Sequence, residues 1–370
     1  MTLGNALLDG QAVDITLRDG LIADVAPHGP CAPDIDAHGL SVYPGLRNMH
    51  CHAPMVLFRG LGDDQPLDRW LNDYIWPAER ELTDRRVYEG TLQACREMLA
   101  GGITFFNDMY FRLPAMARAV EESGIRARLG LNVFGDADEL DDPAIRALLG
   151  QSSANVAYSI APHSVYTVSE RGLLRSAEAC RDLGLPMHIH MSETLKEVDD
   201  CLRLHGCRPW ELLERIGILD MLGSNIIAAH CLHLSDREVE LIGRHGITCV
   251  HCPNSNLKLG SGYRFPLLEL LQAGAKVALG TDGAASSNNL DLLEAMKTSA
   301  LLQKGWRGDP TVVPAGQALA IATQDHTIAP GQPADLFLAP ARSTSDLVYA
   351  THGESVALTL VGGRVVHSRL

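Results

Sequence analysis

Residues 47–55 read RNMHCHAPM and place His50 and His52 two positions apart. On a β-strand, side chains at i and i+2 leave the same face, so two imidazoles at this spacing can reach one ion. Two histidines packed together in a core would show the same spacing. Other segments add to the pattern: APHS carries His163, HIHMSE carries His188, His190 and Glu193, AAHCLH carries His230 and His233, PNSN carries Asn254 and Asn256, and GTDG carries Asp282. Each stands at the end of a short apolar run. Three histidines and one carboxylate suit a zinc ion, and iron takes the same donors. His50, His52, His190 and Asp282 are therefore the candidate ligands of one divalent ion, zinc first and iron as the alternative. An ion held in this way lowers the pKa of water and supplies a nucleophile near neutral pH. A neighbouring carboxyl group can carry protons between water and substrate. Glu193, three residues after His190, is the candidate for that role. His230 can orient the water, and Asp282 can touch the ion and accept a proton. This chemistry suits hydrolytic attack on a ring carbon bearing an amine or another leaving group. Glu193 also fits a plainer role, as an acid complementing the dipole of a helix in SETLKEVDDCL. His188 shares a face with His190 and is expected to pack lower and hydrogen-bond locally.

Such a set needs strand ends that converge. Between residues 42 and 283, apolar β-branched runs alternate with helix-like segments. The runs are SVYPGLRNMH, GITFFNDM, RARLGLNVF, NVAYSIAPH, LPMHIHM, SNIIAAHCL, GITCVHC and KVALGTD. Eight β-then-α units predict a (β/α)8 TIM-type barrel, an α/β fold that builds its sites at the C-terminal ends of its strands. A doubly wound sheet would show G-x-G-x-x-G after its first strand, and GLRNMHCH does not fit. Helical spacing with a Gly-Gly stop marks DRRVYEGTLQACREMLAGG. Ser169 is an expected N-cap with Gly184 as the stop, and SDREVELIGRHGI opens on a cap signal. The fourth run has no lysine that could bridge two ions, so one ion is expected. Residues 1–41 alternate and turn at Asp19-Gly20. PADLFLAPARS and SVALTLVGGRVVHS read as further strands. Neither end is long enough to make a stable sheet alone. The expected division is a small composite β-domain from residues 1–42 and 322–370, with the barrel over 43–321.

The formal charge is −14, from 31 basic and 45 acidic residues, with no basic stripe, which speaks against a nucleic-acid partner. No run of about twenty apolar residues predicts a membrane span. The start of the chain lacks a secretory pattern, and the nine scattered cysteines suit reduced thiols in the cytoplasm. CVHC matches C-x-x-C, but it has no second half and lies in a strand-like run, so it is expected in the core. His28, His38, His205, His245, His326 and His352 read as surface residues. The expected partner is a small molecule, with homo-oligomerisation left open.

The motifs PGLRNMHCH, HIHMSET, AAHCLHLSDRE, CPNSNLKLGSG and LGTDGAASSNN occur in that order and resemble the amidohydrolase superfamily. They are most similar to its methylthioadenosine/S-adenosylhomocysteine deaminases, near the guanine deaminase and s-triazine hydrolase branches. The resemblance is clearest over residues 40–305. It implies a barrel with a composite β-domain and one zinc or iron ion on His50, His52, His190 and Asp282. It also implies Glu193 as proton shuttle, His230 as its assistant and His163 as a substrate contact. Glu79, in IWPAER, matches a glutamate that holds ribose hydroxyls, and Trp76 would wall the pocket. Read without the resemblance, Glu79 also suits a surface helix and Trp76 a core. The implied reaction is hydrolytic deamination of an adenine nucleoside to its inosine analogue and ammonia, an aminohydrolase activity on cyclic amidines. Relatives acting on S-adenosylhomocysteine carry arginines after strand three. Here LNVFGDADELDDPAIRALLG has no base near Leu131 or Asn132, and Arg146 is its only cation before the next strand. A neutral 5′ tail is therefore expected, as in methylthioadenosine, adenosine or 5′-deoxyadenosine. Another amino- or chloro-substituted heterocycle (guanine, a pterin, cytosine or an s-triazine) is the alternative. The segment 313–331 is short for the resemblance and leaves the return to the β-domain open.

Overall fold

The run SVYPGLRNMH is not one strand. In the computed structural model, which describes residues 1–370, Ser41–Pro44 pairs with Leu336–Ala339 in a mixed sheet, and only Leu46–Cys51 enters the barrel. Gly45 makes the step. A Cβ there would lie 2.1 Å from Thr104 Oγ1, so no other residue lets the chain pass this close. The boundary expected after residue 42 thus falls at Gly45, because Tyr43 and Pro44 still pair in the mixed sheet.

Eight parallel strands form the barrel: β1 Leu46–Cys51, β2 Ile103–Tyr110, β3 Arg126–Val133, β4 Val156–Pro162, β5 Met187–Met191, β6 Ile226–His230, β7 Thr248–His251 and β8 Lys276–Leu279. Each pairs with the next in parallel. Beyond β8, Asp282 bridges Cys51, and its N–H donates to His50 O at 3.0 Å, which closes the ring. Gly280 permits that closure, since a Cβ would lie 2.8 Å from His50 Cβ. Met49, Phe105, Ile227, Val250 and Ala278 of the strands, with Cys252 just past β7, form a separate apolar cluster. A second, larger core of 80 buried residues lies between strands and helices.

The helices start and stop where the local chemistry directs. Ser169 Oγ accepts from Gly172 N, and Gly184 ends that helix in the left-handed conformation. Ser235 and Glu238 form a reciprocal capping box. The long helix Asp84–Ala100 runs into Gly101 as its C-cap. His251 of the CVHC run is fully buried, stacked on Phe265, with Nδ1 3.0 Å from Ser299 Oγ, and all nine cysteines are free thiols. No helix is long and apolar enough to cross a membrane.

Both chain ends build the mixed sheet, with Thr2–Leu8, Gln11–Arg18 and Leu21–Pro27 on one side of Ser41–Pro44 and Leu336–Ala339, Leu358–Val361 and Arg364–Ser368 on the other. It has its own core of 13 buried residues. The helix Thr344–Ala350 departs from the expected division: Leu347 and Val348 pack into the barrel's core, so the stretch after residue 322 serves both bodies. The short return is made by the helix Ala315–Thr323, which packs against the helices Leu292–Arg307 and Thr344–Ala350.

Asp335 ties the two bodies together. It accepts from Arg126 Nε of β3 at 2.8 Å and from Gly362 N of the mixed sheet at 2.6 Å, and its side chain is 5% exposed. Asp335→Ala is expected to cost about 2–3 kcal/mol, because a half-buried guanidinium and a backbone N–H lose their acceptor together. Equilibrium urea unfolding would read this, and a change under about 0.5 kcal/mol would rule out the joint as a stabilising one.

Candidate active site

The strand ends do converge. The donor nitrogens of His50, His52 and His190 lie within 4.8 Å of one another, as do donor atoms of His50, His230 and Asp282. Asp282 Oδ1 lies 3.2 Å from His50 Nε2 and 3.1 Å from His52 Nε2. His190 Nε2 lies 3.4 Å from His52 Nε2. All five residues are buried. Cys51, between the two β1 histidines, contributes no donor to either group.

The rings are held from behind. His52 Nδ1 lies 2.7 Å from Met109 O and His190 Nδ1 2.8 Å from His163 O. A carbonyl only accepts, so each ring carries its proton on Nδ1 and presents a lone pair at Nε2. Asp282 Oδ2 accepts from Ser255 Oγ at 2.6 Å and Ser286 Oγ at 3.0 Å, leaving Oδ1 for the cluster. Burial would raise the Asp282 carboxyl, yet His50 and His52 hold it well below the usual carboxylate range. Burial likewise opposes charge on His52, but Asp282 outweighs it and lifts His52 to about 9. On His50 burial wins, and the ring falls to about 4. The Nε2 atoms of His50 and His52 converge on Asp282 Oδ1, with His190 Nε2 beside them, a nitrogen-rich donor set with one carboxylate that fits a divalent cation.

Backbone strain aims the side chains. Ser192, His230, Cys231 and Asp282 have φ of 51°, 74°, 49° and 60°, a left-handed region that non-glycine residues rarely adopt. At His230 and Asp282 this twist comes at the strand end, as the chain leaves the barrel wall.

Glu193 lies just before the helix Leu195–His205, whose N-cap is Thr194, so it is not a helix-start acid; Glu197 is. Glu197 accepts from the backbone N–H groups of Ser192 and Glu193 and so fixes the turn. Glu193 Oε1 accepts from Ser261 Oγ at 3.0 Å, and Oε2 faces His230 Nε2 at 3.8 Å. Burial raises the Glu193 pKa, which favours a carboxyl group that can hold a proton. Asn256 Nδ2 lies 2.9 Å from His230 Nδ1, which leaves His230 Nε2 to carry the ring proton towards Glu193.

His52, Trp76, Glu79, His163, His190, Glu193, His230 and Asp282 all line one inner chamber. It opens, past Trp76, Glu79, Tyr110, Phe111 and Phe134, into an outer chamber of about 650 Å³. Glu79 is not a free surface acid. Its Oε1 is buried without a partner, and burial raises its pKa. Trp76 follows the π-helical turn Trp70–Ile75, an irregularity common at functional sites. His163 is buried, stacked on Phe134 with centroids 5.0 Å apart, and its Nδ1 is engaged by Thr167 Oγ1 at 2.9 Å. His233 stays outside this chamber and meets Ser261 O at 2.7 Å.

Some residues here escape the sequence reading. Ser255, Asn256 and Ser261 lie within CPNSNLKLGSG and Ser286 within LGTDGAASSNN, but neither spacing nor periodicity assigns any of them a partner. Two arginines also reach the outer chamber: Arg80, beside Glu79, and Arg112, just past β2. The loop after β3 supplies neither. Arg112 pairs with Asp84 at 2.5 Å. The acidic loop itself is tied down by Arg175, which binds Asp138 and Asp141.

The sequence pattern of the amidohydrolase family matches residues 41–366. The chain belongs to the amidohydrolase family. Among relatives in that family, a 5′-deoxyadenosine deaminase of Methanoregula boonei is 44% identical over 358 residues, covering 90% of this chain and 80% of the relative. A 5-methylthioadenosine/S-adenosylhomocysteine deaminase of Moorella thermoacetica is 39% identical, covering 90% and 83%. Among solved amidohydrolase-like structures, an adenosine deaminase from Xanthomonas campestris with bound zinc superposes with a TM-score of 0.89 at 31% identity, covering 98% of this chain and 91% of that one.

Proposed function

We propose that this amidohydrolase removes the 6-amino group of an adenine nucleoside with a neutral 5′ tail, giving ammonia and the inosine analogue. The observation that carries the reading is the placement of Glu193 and His230 beside the His50–His52–His190–Asp282 cluster, in a chamber that Glu79 also lines, its Oε1 buried. The names borne by the relatives, deaminases of 5′-deoxyadenosine and of methylthioadenosine/S-adenosylhomocysteine, support the adenine nucleoside, and the first of them supports the neutral tail.

A divalent ion on His50, His52, His190 and Asp282 would supply a water of lowered pKa at the ring carbon. Zinc is the ion we assign, on the nitrogen-rich donor set and the zinc in the Xanthomonas structure. Glu193 takes a proton from the attacking water and gives it to ring N1 as the C–O bond forms at C6. His230 Nε2–H faces the oxygen on which charge develops. Asp282 accepts the remaining hydroxyl proton and passes it to the departing amine, so that the C–N bond breaks with neutral ammonia as the leaving group. Glu79 accepts from the ribose hydroxyls. Trp76 and Phe134 flank the path from the outer chamber, and His163 contacts the sugar or base from the β4 side.

The outer chamber would take the 5′ tail. Its walls are mainly apolar, formed by Trp76, Leu82, Val87, Phe111 and Phe134, and Asp84 already neutralises Arg112. A carboxylate tail would have to break that pair or rely on Arg80 alone, which makes no ion pair at the chamber rim, so turnover of a charged-tail substrate is the deciding measurement. Ammonia release from methylthioadenosine, 5′-deoxyadenosine, adenosine, 2′,3′-dideoxyadenosine, S-adenosylhomocysteine, guanine, cytosine and an s-triazine tests every part. The first three are expected to exceed S-adenosylhomocysteine in kcat/KM by at least tenfold, or about 1.4 kcal/mol. The dideoxy compound should lose a comparable factor through the missing bonds to Glu79. Comparable turnover of S-adenosylhomocysteine would sink the neutral-tail reading, and preference for a free base or triazine would sink the nucleoside reading.

A further inference from the structure

We propose that Tyr110 is a second contact for the hydroxyls of the substrate's sugar, its phenol O–H working beside the Glu79 carboxylate. This role rests on the nucleoside reading and adds to it a residue that sets the preference for an intact ribose. Three side chains lining the inner chamber carry a polar atom that is buried and without a hydrogen-bond partner: Glu79 Oε1, the Tyr110 hydroxyl and Asn132 Oδ1. They come from neighbouring elements, the helix Trp76–Arg80, the last residue of β2 and the end of β3. A polar atom cut off from water and given no partner is costly, and buried polar atoms in folded proteins are almost always bonded. Three such atoms on the wall of one chamber mark the side from which a ligand supplies the missing bonds.

Tyr110 is buried, with its ring 5.2 Å from that of Phe111. Tyr110 and Glu79 both line the inner and the outer chamber, so they stand where one opens into the other. The hydroxyl is close enough to the carboxylate for each to act on the other. Burial raises the Glu79 pKa and the Tyr110 hydroxyl lowers it. Burial, and after it the charge of Glu79, push the Tyr110 hydroxyl well above the ordinary phenol range. The phenol therefore keeps its proton and remains a donor.

An ionised carboxylate only accepts. Glu79 can take the O–H protons of a vicinal diol, but it leaves the lone pairs of the sugar oxygens unmet. A phenol donates one hydrogen bond and can accept another. Tyr110 thus supplies what Glu79 lacks, a donor to a hydroxyl oxygen that Glu79 holds through its proton. A sugar without these hydroxyls leaves both buried groups unpaired, and a site built in this way rejects such an analogue. Phenylalanine at position 110 would fill the same space beside Phe111 and lose only the hydroxyl.

The test is kcat/KM of the zinc-loaded full-length chain, wild type and Tyr110→Phe, for adenosine and 2′,3′-dideoxyadenosine, which differ only in the two hydroxyls. The ratio of the two constants is expected to fall about five- to tenfold in Tyr110→Phe, the size of one net hydrogen bond. An unchanged ratio overturns the proposal, and a joint fall of both constants would then mark a packing effect. A second reading keeps the hydroxyl in place. With 3-fluorotyrosine at position 110, the 19F line is expected to shift more on saturation with inosine than with 2′,3′-dideoxyinosine, and equal shifts overturn the proposal. Wild type that deaminates both nucleosides equally well would leave deamination standing and remove the sugar contact. Wild type that deaminates neither would remove the nucleoside reading and this one together.

Discussion

Glu193→Gln is expected to lower kcat by roughly 10²- to 10⁴-fold, the range for loss of a positioned general acid–base group, while zinc content stays at the wild-type level. Glutamine keeps the shape and can still accept the 3.0 Å bond from Ser261 Oγ through its amide oxygen. The backbone N–H of residue 193 remains fixed by Glu197, so the turn that carries the side chain should not move. What is lost is the ability to take a proton and return it. Burial raises the Glu193 pKa in the free protein, which brings its two protonation states closer to the working pH than an ordinary carboxylate would allow. Turnover and metal content measured on one preparation check this. Loss of zinc together with activity would make Glu193 a ligand and overturn the division of labour with His190. Retention of more than about a tenth of the activity would remove it from proton transfer.

The second large effect is expected at Asp282. Asp282→Ala removes the carboxylate from a cluster otherwise made of imidazoles. It strips Ser255 and Ser286 of their shared acceptor and leaves His52 without the negative charge that lifts it to about 9. The variant should bind zinc too weakly to retain it through dialysis, and its turnover should fall at least as far as that of Glu193→Gln. Stability provides an independent measure. Zinc at about 100 times its Kd should stabilise the wild type by about 2.7 kcal/mol and the variant by far less. Equal stabilisation of the two proteins by zinc would show that the ion does not depend on this carboxylate. The same titration run on metal-stripped wild type should restore ammonia release in step with the stability gain.

These expectations draw unevenly on sequence and structure. The i, i+2 spacing of His50 and His52 already requires both rings on one face of a strand. Strand-end positions likewise mark His190, His230 and Asp282, because the barrel offers only one place where eight strand ends meet. Helix caps were readable too, since Ser169, Gly184 and Ser235 act through bonds to residues within a few positions of themselves. The resemblance added roles for Glu79 and Trp76 that spacing alone left open, and the structure puts both on the chamber wall.

What stayed illegible depends on contacts between distant parts of the chain. Ser261 meets Glu193 across 68 positions, and His188 meets His50 across 138. A serine in a loop has no periodicity to betray it, and a histidine on a strand face does not declare what stands opposite. Arg80 and Arg112 reach the outer chamber from helix and loop segments around the first two strands, while the resemblance places the arginines of S-adenosylhomocysteine-acting relatives after the third strand, where this chain has none. The step at Gly45 was hidden because one continuous apolar run serves two sheets, and only the approach of Thr104 shows where the chain must change from one to the other. By itself, the sequence determined the strand ends, the caps and the donor types, because strand pleat and helix termini are local physics. The tertiary structure alone decided which ring faces which, which serines hold the carboxylates and where the chamber opens, because those follow from how the barrel closes β8 on β1 and brings remote side chains into hydrogen-bond range.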